Sequence, residues 1–180
     1  MTNATIFPKE KFWERWKKFE KIDLQLSIDG QGKHFNYTRW PAEWDQVLEN
    51  IKLYRDKEAS ENNLKLTVGH VISIFTVFYF PEFFKWCLQN NLKDPYISLL
   101  SYPKMYDIRS LPIKIKDKIK LKLDRFNFKE IVEYMYQDDF IDSFDETKKY
   151  INLLDQQRGH RFEDTFPEFY QLLKDEQCQI

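Results

Sequence analysis

The feature that most constrains this chain is the regular exchange of strand-type and helix-type patterning across residues 1–105. Residues 23–29 alternate strictly: Leu24, Leu26 and Ile28 face one way, Gln25, Ser27 and Asp29 the other, and Gly30-Gln31-Gly32 closes the run. Residues 64–71 repeat the pattern, with Leu64, Leu66 and Val68 opposite Lys65, Thr67 and Gly69, and residues 96–100 read as a further strand. Helical stretches lie between them. One opens at Pro41, after a polar loop, and carries Trp44, Val47, Leu48, Ile51 and Tyr54 on a wide face. The next carries Phe80, Phe83, Phe84, Cys87 and Leu88 and stops at Asn90-Asn91. An earlier helix is expected over residues 8–21, with Phe12, Trp16 and Phe19 on its buried side. Helix-length connections return each strand parallel to the last through right-handed crossovers. The expected fold class is therefore α/β with a parallel sheet.

After Pro103 the exchange stops. The pattern predicts helices over residues 112–126, 128–136, 146–158 and 167–175, with Gly159 as a C-terminal cap. Residues 113–123 alternate Ile or Leu with Lys almost as a strand would. Pro112 at a first helical position, and Ile115, Ile119, Leu123 and Phe126 at near-helical spacing, favour a helix. Two regions follow from this, residues 1–105 and a mainly helical segment over 106–180.

Composition removes several function classes. With 16 Phe, 10 Tyr and 5 Trp, and 42% hydrophobic residues, the chain is far from a disordered one. A net charge of −1 gives no global field for nucleic acid or an anionic membrane, so neither is an expected partner. The lysines at 114, 116, 118, 120 and 122 spread around a helix and lack interleaved aromatic rings, which argues against nucleic acid locally. The most apolar stretch, residues 68–86, contains His70, Pro81, Glu82 and Lys85 and does not read as a membrane span. Two distant cysteines, Cys87 and Cys178, suggest neither a disulfide framework nor a zinc motif, and a reducing cytoplasmic setting is expected.

The strand ending Ser27-Ile28-Asp29-Gly30 is followed nine residues later by Arg39, and then by Trp44-Asp45-Gln46-Val47-Leu48-Glu49-Asn50-Ile51. Thr2-Asn3-Ala4 precedes it. Leu66-Thr67-Val68, Pro81-Glu82-Phe83-Phe84-Lys85-Trp86-Cys87 and the run from Tyr96 to Pro103 follow. Leu153-Leu154-Asp155-Gln156-Gln157-Arg158-Gly159 and Phe166-Pro167-Glu168 complete the set. In this order the motifs resemble the middle and later part of radical S-adenosylmethionine (SAM) enzymes with SPASM or twitch-type C-terminal extensions. Ala4 departs from that family's usual glycine. The resemblance implies an incomplete (β/α) barrel of parallel strands, followed by a mainly helical C-terminal segment.

It also implies S-adenosyl-L-methionine as cofactor. Ser27 matches a serine that contacts SAM, and Arg39 an arginine that pairs with the SAM carboxylate, a task for which a guanidinium fork is well shaped. Asp29 and Thr67 complete the cofactor-binding candidates, because alternate strand residues line a barrel lumen and ligands sit at the strands' C-terminal ends. The residues alone leave an alternative open: Ser27 and Asp29 form a turn with Gly30, and Arg39 is a surface arginine. Leu100, at a strand end, is a weaker candidate for packing on adenine. His34, His70 and His160 share no metal-like spacing, Cys87 lies on an apolar stripe, and Asp138, Asp139 and Asp142 read as a solvated helix end rather than a metal site.

No Cys-x-x-x-Cys-x-x-Cys occurs, so the chain holds no set of three thiolates for a [4Fe–4S] cluster. The cluster is expected only if a missing N-terminal part supplies the cysteines. The function implied is a fragment, or one half of a split enzyme, for reductive SAM cleavage and hydrogen abstraction. Its partner would be a separately encoded N-terminal half or a second copy. The competing expectation is a non-enzymatic α/β binding or structural module that works with a partner chain.

Overall fold

The computed structural model describes residues 1–92, 95–137 and 143–178; Asp138, Asp139 and Asp142 lie outside the described residues. The chain forms two compact units, Met1–His70 with Phe84–Ile97, and Val71–Phe83 with Ser98–Ile180. The expected α/β class is what folds: a three-stranded parallel sheet in the order β1 (Ile22–Ser27), β2 (Leu64–Ile72), β3 (Tyr96–Leu99), and a mostly helical remainder. No barrel is seen among the described residues.

In the first unit β1 and β2 run in register from Ile22 opposite Leu64 to Ser27 opposite Gly69. Leu24, Leu26, Leu66 and Val68 are buried, and Gln25, Ser27 and Thr67 on the other face are half-buried. Thr2 adds a one-residue parallel bridge on the outer edge of β1. Its N–H donates to the Gln25 carbonyl at 2.9 Å, and its carbonyl accepts from the Ser27 N–H at 2.8 Å. Ala4 follows in the left-handed region at φ 58°, a conformation that glycine adopts without steric cost.

Two helical expectations in this unit need correction. The first helix, α1, covers only Glu10–Trp16, and its one buried ring is Trp13 rather than Phe12, Trp16 or Phe19. The Trp13 indole N–H donates to the Pro8 carbonyl at 3.1 Å, and its ring lies 5.4 Å from Phe7 and 6.1 Å from Tyr54. Those contacts turn Phe12 and Phe19 outward. The expected polar loop before residue 41 contains a short helix, α2 (Lys33–Thr38), that buries Phe35 and Tyr37. The Trp40–Pro41 peptide is cis, and α3 (Trp44–Ser60) begins three residues later, its first N–H accepted by the Asn36 side chain at 2.7 Å. Val47, Ile51 and Tyr54 form its buried stripe as expected. On α4 (Phe80–Gln89) Phe83 and Cys87 are buried, but Leu88 is exposed, one residue beyond the stripe.

The second unit contains α5 (Ile113–Asp124), α6 (Lys129–Met135), α7 (Phe144–Arg158), α8 (Phe162–Thr165) and α9 (Pro167–Asp175). Residues 113–123 are helical, with Ile115, Ile119 and Leu123 buried; Phe126 lies past the helix end and is exposed. Gly159 caps α7 at φ 65°. Phe75, Tyr106, Phe162 and Phe166 meet in one aromatic cluster. Fully buried Asp107 accepts from the Arg109 Nε and Nη2 at 3.0 and 2.7 Å and from the Tyr134 hydroxyl at 3.1 Å. That network satisfies a charge which burial would otherwise penalise heavily.

Candidate functional site at the end of the first strand

Parallel strands carry their ligand sites at their C-terminal ends, where the connecting loops supply polar groups. At that end of β1 the structure gathers Ser27, Asp29 and Arg39. Asp29 Oδ2 accepts from the Arg39 Nε at 2.6 Å and Nη2 at 2.5 Å, and Nη2 also reaches the Ser27 hydroxyl at 3.3 Å. Asp29 is buried and Arg39 partly exposed, so the carboxylate forms the floor and the guanidinium faces outward.

The loop that achieves this depends on local backbone geometry. Gly30, at φ 122°, turns the chain off the strand, where a Cβ would stand 3.3 Å from that of His34. After α2 the chain returns: the Thr38 hydroxyl shares its proton between the Asp29 and His34 carbonyls, at 3.0 and 2.9 Å, and the Arg39 N–H donates to the Phe35 carbonyl at 2.8 Å. Asp29 therefore holds both the side chain and the preceding turn of the returning segment.

Thr67 does not join the cluster. It pairs in register with Gln25, one pleat period before the Ser27–Gly69 pair. The Gln25 side chain lies across Gly69, where a Cβ would come within 2.9 Å of its Cδ. Leu100 carries backbone hydrogen bonds, donating to the Ile72 carbonyl at 3.1 Å and accepting from the Tyr134 hydroxyl at 3.1 Å. The Ser27 hydroxyl donates weakly to the Met1 thioether at 3.6 Å.

His70 is the residue that pattern reading passed over. It is buried at the end of β2, and its Nδ1–H donates to the Ile28 carbonyl at 2.9 Å, which fixes the tautomer. Burial pushes its pKa down to about 4; Asp29 and the Ile28 carbonyl oppose the shift and Arg39 adds to it. The imidazole is therefore neutral at pH 7 and shares the electrostatics of the Asp29–Arg39 pair. Only its place after Val68-Gly69 on an apolar strand face could have marked it beforehand.

Cys87 and several lysines singled out by the sequence are engaged elsewhere. Cys87 is buried and its thiol pushed up to about 12. Lys114, Lys120 and Lys122 pair with Glu176, Asp124 and Glu82, and Lys116 is buried. Among the described residues no three His, Cys, Asp or Glu side chains gather as a metal-binding group. No helix of the described residues is long and apolar enough to cross a membrane. Compared with family models, curated proteins and solved structures, the chain matches none. The likeness to radical SAM enzymes thus rests on the short motifs alone.

Proposed function

We propose that Ser27, Asp29 and Arg39 bind the amino-acid end of S-adenosylmethionine, and that the chain supplies later strands of a radical SAM-type (β/α) barrel. The observation that carries this reading is the convergence of three polar side chains, spread over thirteen positions, at the C-terminal end of a parallel strand. Asp29 and Arg39 are paired directly at 2.5–2.6 Å, so an acceptor group and a donor group sit side by side. That arrangement suits a zwitterion, whose ammonium meets the carboxylate while its carboxylate meets the guanidinium. The sequential order of parallel strands, continued outward by the Thr2 bridge, supports the barrel part of the reading.

The residues present do not fit an iron–sulfur cluster. Three thiolates are required, and the chain has two cysteines, one of them buried with a raised pKa. The cluster, and with it reductive SAM cleavage and hydrogen abstraction, belongs in this proposal to a separate front half. Calorimetry with SAM tests the binding step directly. Saturable binding is expected, at least about tenfold weaker in Arg39→Gln, which removes a charge-assisted pair. Decarboxylated SAM should bind as weakly to the unaltered chain as SAM does to the variant. Absence of saturable SAM binding, alone and with a cysteine-bearing front half, would sink the proposal.

A second reading has its own observation. Edge strand β3 exposes Tyr96, which suits a binding module completed by another chain. Sedimentation separates the two: this reading requires association and is indifferent to SAM.

A further inference from the structure

Residues 6–19 present a surface that the Ser27 site does not use. Ile6, Phe7, Pro8, Phe12 and Trp16 line an almost wholly apolar, wide-mouthed groove of about 430 Å³, with Lys9 and Lys11 on its walls. Ile6 is 75% exposed, Phe12 41%, and Phe19, just beyond the groove, 60%. Trp13 alone supplies the buried ring of this segment, so the outward rings do not serve the core.

The charges around these rings are one-sided. Residues 8–21 carry six cations and three carboxylates. Glu10 is held by Lys57 and Glu14 by Lys17, Lys21 is paired with Asp23, and Glu20 is the one carboxylate of the segment in no ion pair among the described residues. Lys9, Lys11, Arg15 and Lys18 have no ion-pair partner among the described residues. The whole-chain charge of −1, which argued against a membrane partner, averages away this local excess.

We propose that residues 6–19 dock the protein on the surface of an anionic lipid bilayer. Ile6, Phe12 and Phe19 enter the boundary between headgroups and acyl chains, and Lys9, Lys11, Arg15 and Lys18 meet the lipid phosphates and carboxylates. Charge complementarity selects an anionic partner. The exposure of Ile6, Phe12 and Phe19 together favours an extended apolar phase over a single short peptide. Aromatic rings interleaved with lysines favour the headgroup level. Each basic residue near such a surface strengthens binding about fivefold, so the contact is reversible and salt-sensitive. This inference is independent of the SAM proposal.

The test is co-sedimentation of the full chain with vesicles of phosphatidylcholine containing about one-third phosphatidylserine, beside vesicles of phosphatidylcholine alone, with tryptophan fluorescence as a second readout. Binding to the mixed vesicles is expected, with a blue shift and with loss of binding at about 0.5 M salt. Lys9→Gln with Lys11→Gln should weaken it roughly 25-fold, at fivefold per charge. Phe12→Ser with Phe19→Ser should weaken it at least about tenfold, while circular dichroism stays unchanged because both rings face solvent. No binding to the mixed vesicles, or equal binding to phosphatidylcholine alone, overturns the proposal. A dimer that Phe12→Ser abolishes also overturns it, since a second copy would then cover the groove.

Discussion

His70 makes the acid stability of this protein predictable. In the unfolded chain its imidazole titrates near 6.5; in the fold burial pushes that to about 4. A depressed native pKa means that the unfolded chain takes up the proton first. The stabilisation is therefore complete above pH 6.5, declines as pH falls from 6.5 to 4, and is spent below that. Over that window the loss is about 3 kcal/mol, at roughly 1.4 kcal/mol for each pH unit. The ring is fully buried, so no discount for solvent screening applies. Against a typical domain stability of about 5–15 kcal/mol this is a large fraction.

Urea unfolding followed by tryptophan fluorescence, repeated between pH 7.5 and pH 4, measures it. The comparison that isolates His70 is His70→Asn, whose amide places a donor near the Ile28 carbonyl and does not titrate. The variant is expected to be less stable at pH 7, because the smaller side chain leaves space, and to lose less on acidification. Carboxylate titration acts on both proteins and cancels in the difference. Parallel pH profiles would refute the reasoning, for they would mean that the buried imidazole takes up its proton no later than a free one.

Two further outcomes follow from groups buried away from that site. Asp107→Ala removes the fully buried carboxylate to which Arg109 and Tyr134 donate, and should cost about 2–3 kcal/mol by denaturant titration; a loss below about 1 kcal/mol would show that the network is dispensable. A thiol-reactive chromophore should modify one cysteine in the native protein, the half-buried Cys178, slowed because burial raises its thiol pKa, and reach buried Cys87 only on unfolding; modification of both thiols in the native protein would contradict the burial.

Much of the fold was legible because period-two and helical patterns are local. Leu24, Leu26 and Ile28 alternate over a few residues, and the α3 stripe repeats every turn, so each announces itself without its partner. The first helix is poorly marked in the sequence for the opposite reason. Trp13 sits among Phe12, Trp16 and Phe19, and spacing cannot choose between overlapping aromatic faces. The choice is made by the Pro8 carbonyl and the rings of Phe7 and Tyr54, the last of these distant in sequence. Helix α2 shows no stripe in six residues and is held by what flanks it.

The site was less visible still. Ser27, Asp29 and Arg39 stand out only through a resemblance, and nothing in their spacing says that Arg39 folds back onto Asp29. That depends on a Gly30 turn and a Thr38 hydroxyl bond formed only in the folded chain. His70 meets its partner carbonyl 42 positions away, beyond any local pattern.

The bridge at Thr2 bears on how this protein should be handled at the bench. Its two hydrogen bonds to β1 fix the backbone of residue 2, and Met1 is left with its sulfur against the Ser27 hydroxyl. Whatever chain is joined ahead of Thr2, whether a purification tag or a fusion partner, enters the fold beside the candidate site. Binding measured on a tagged preparation would then report the tag as much as the pocket. A preparation with its tag cleaved is the proper starting material for every ligand experiment proposed above.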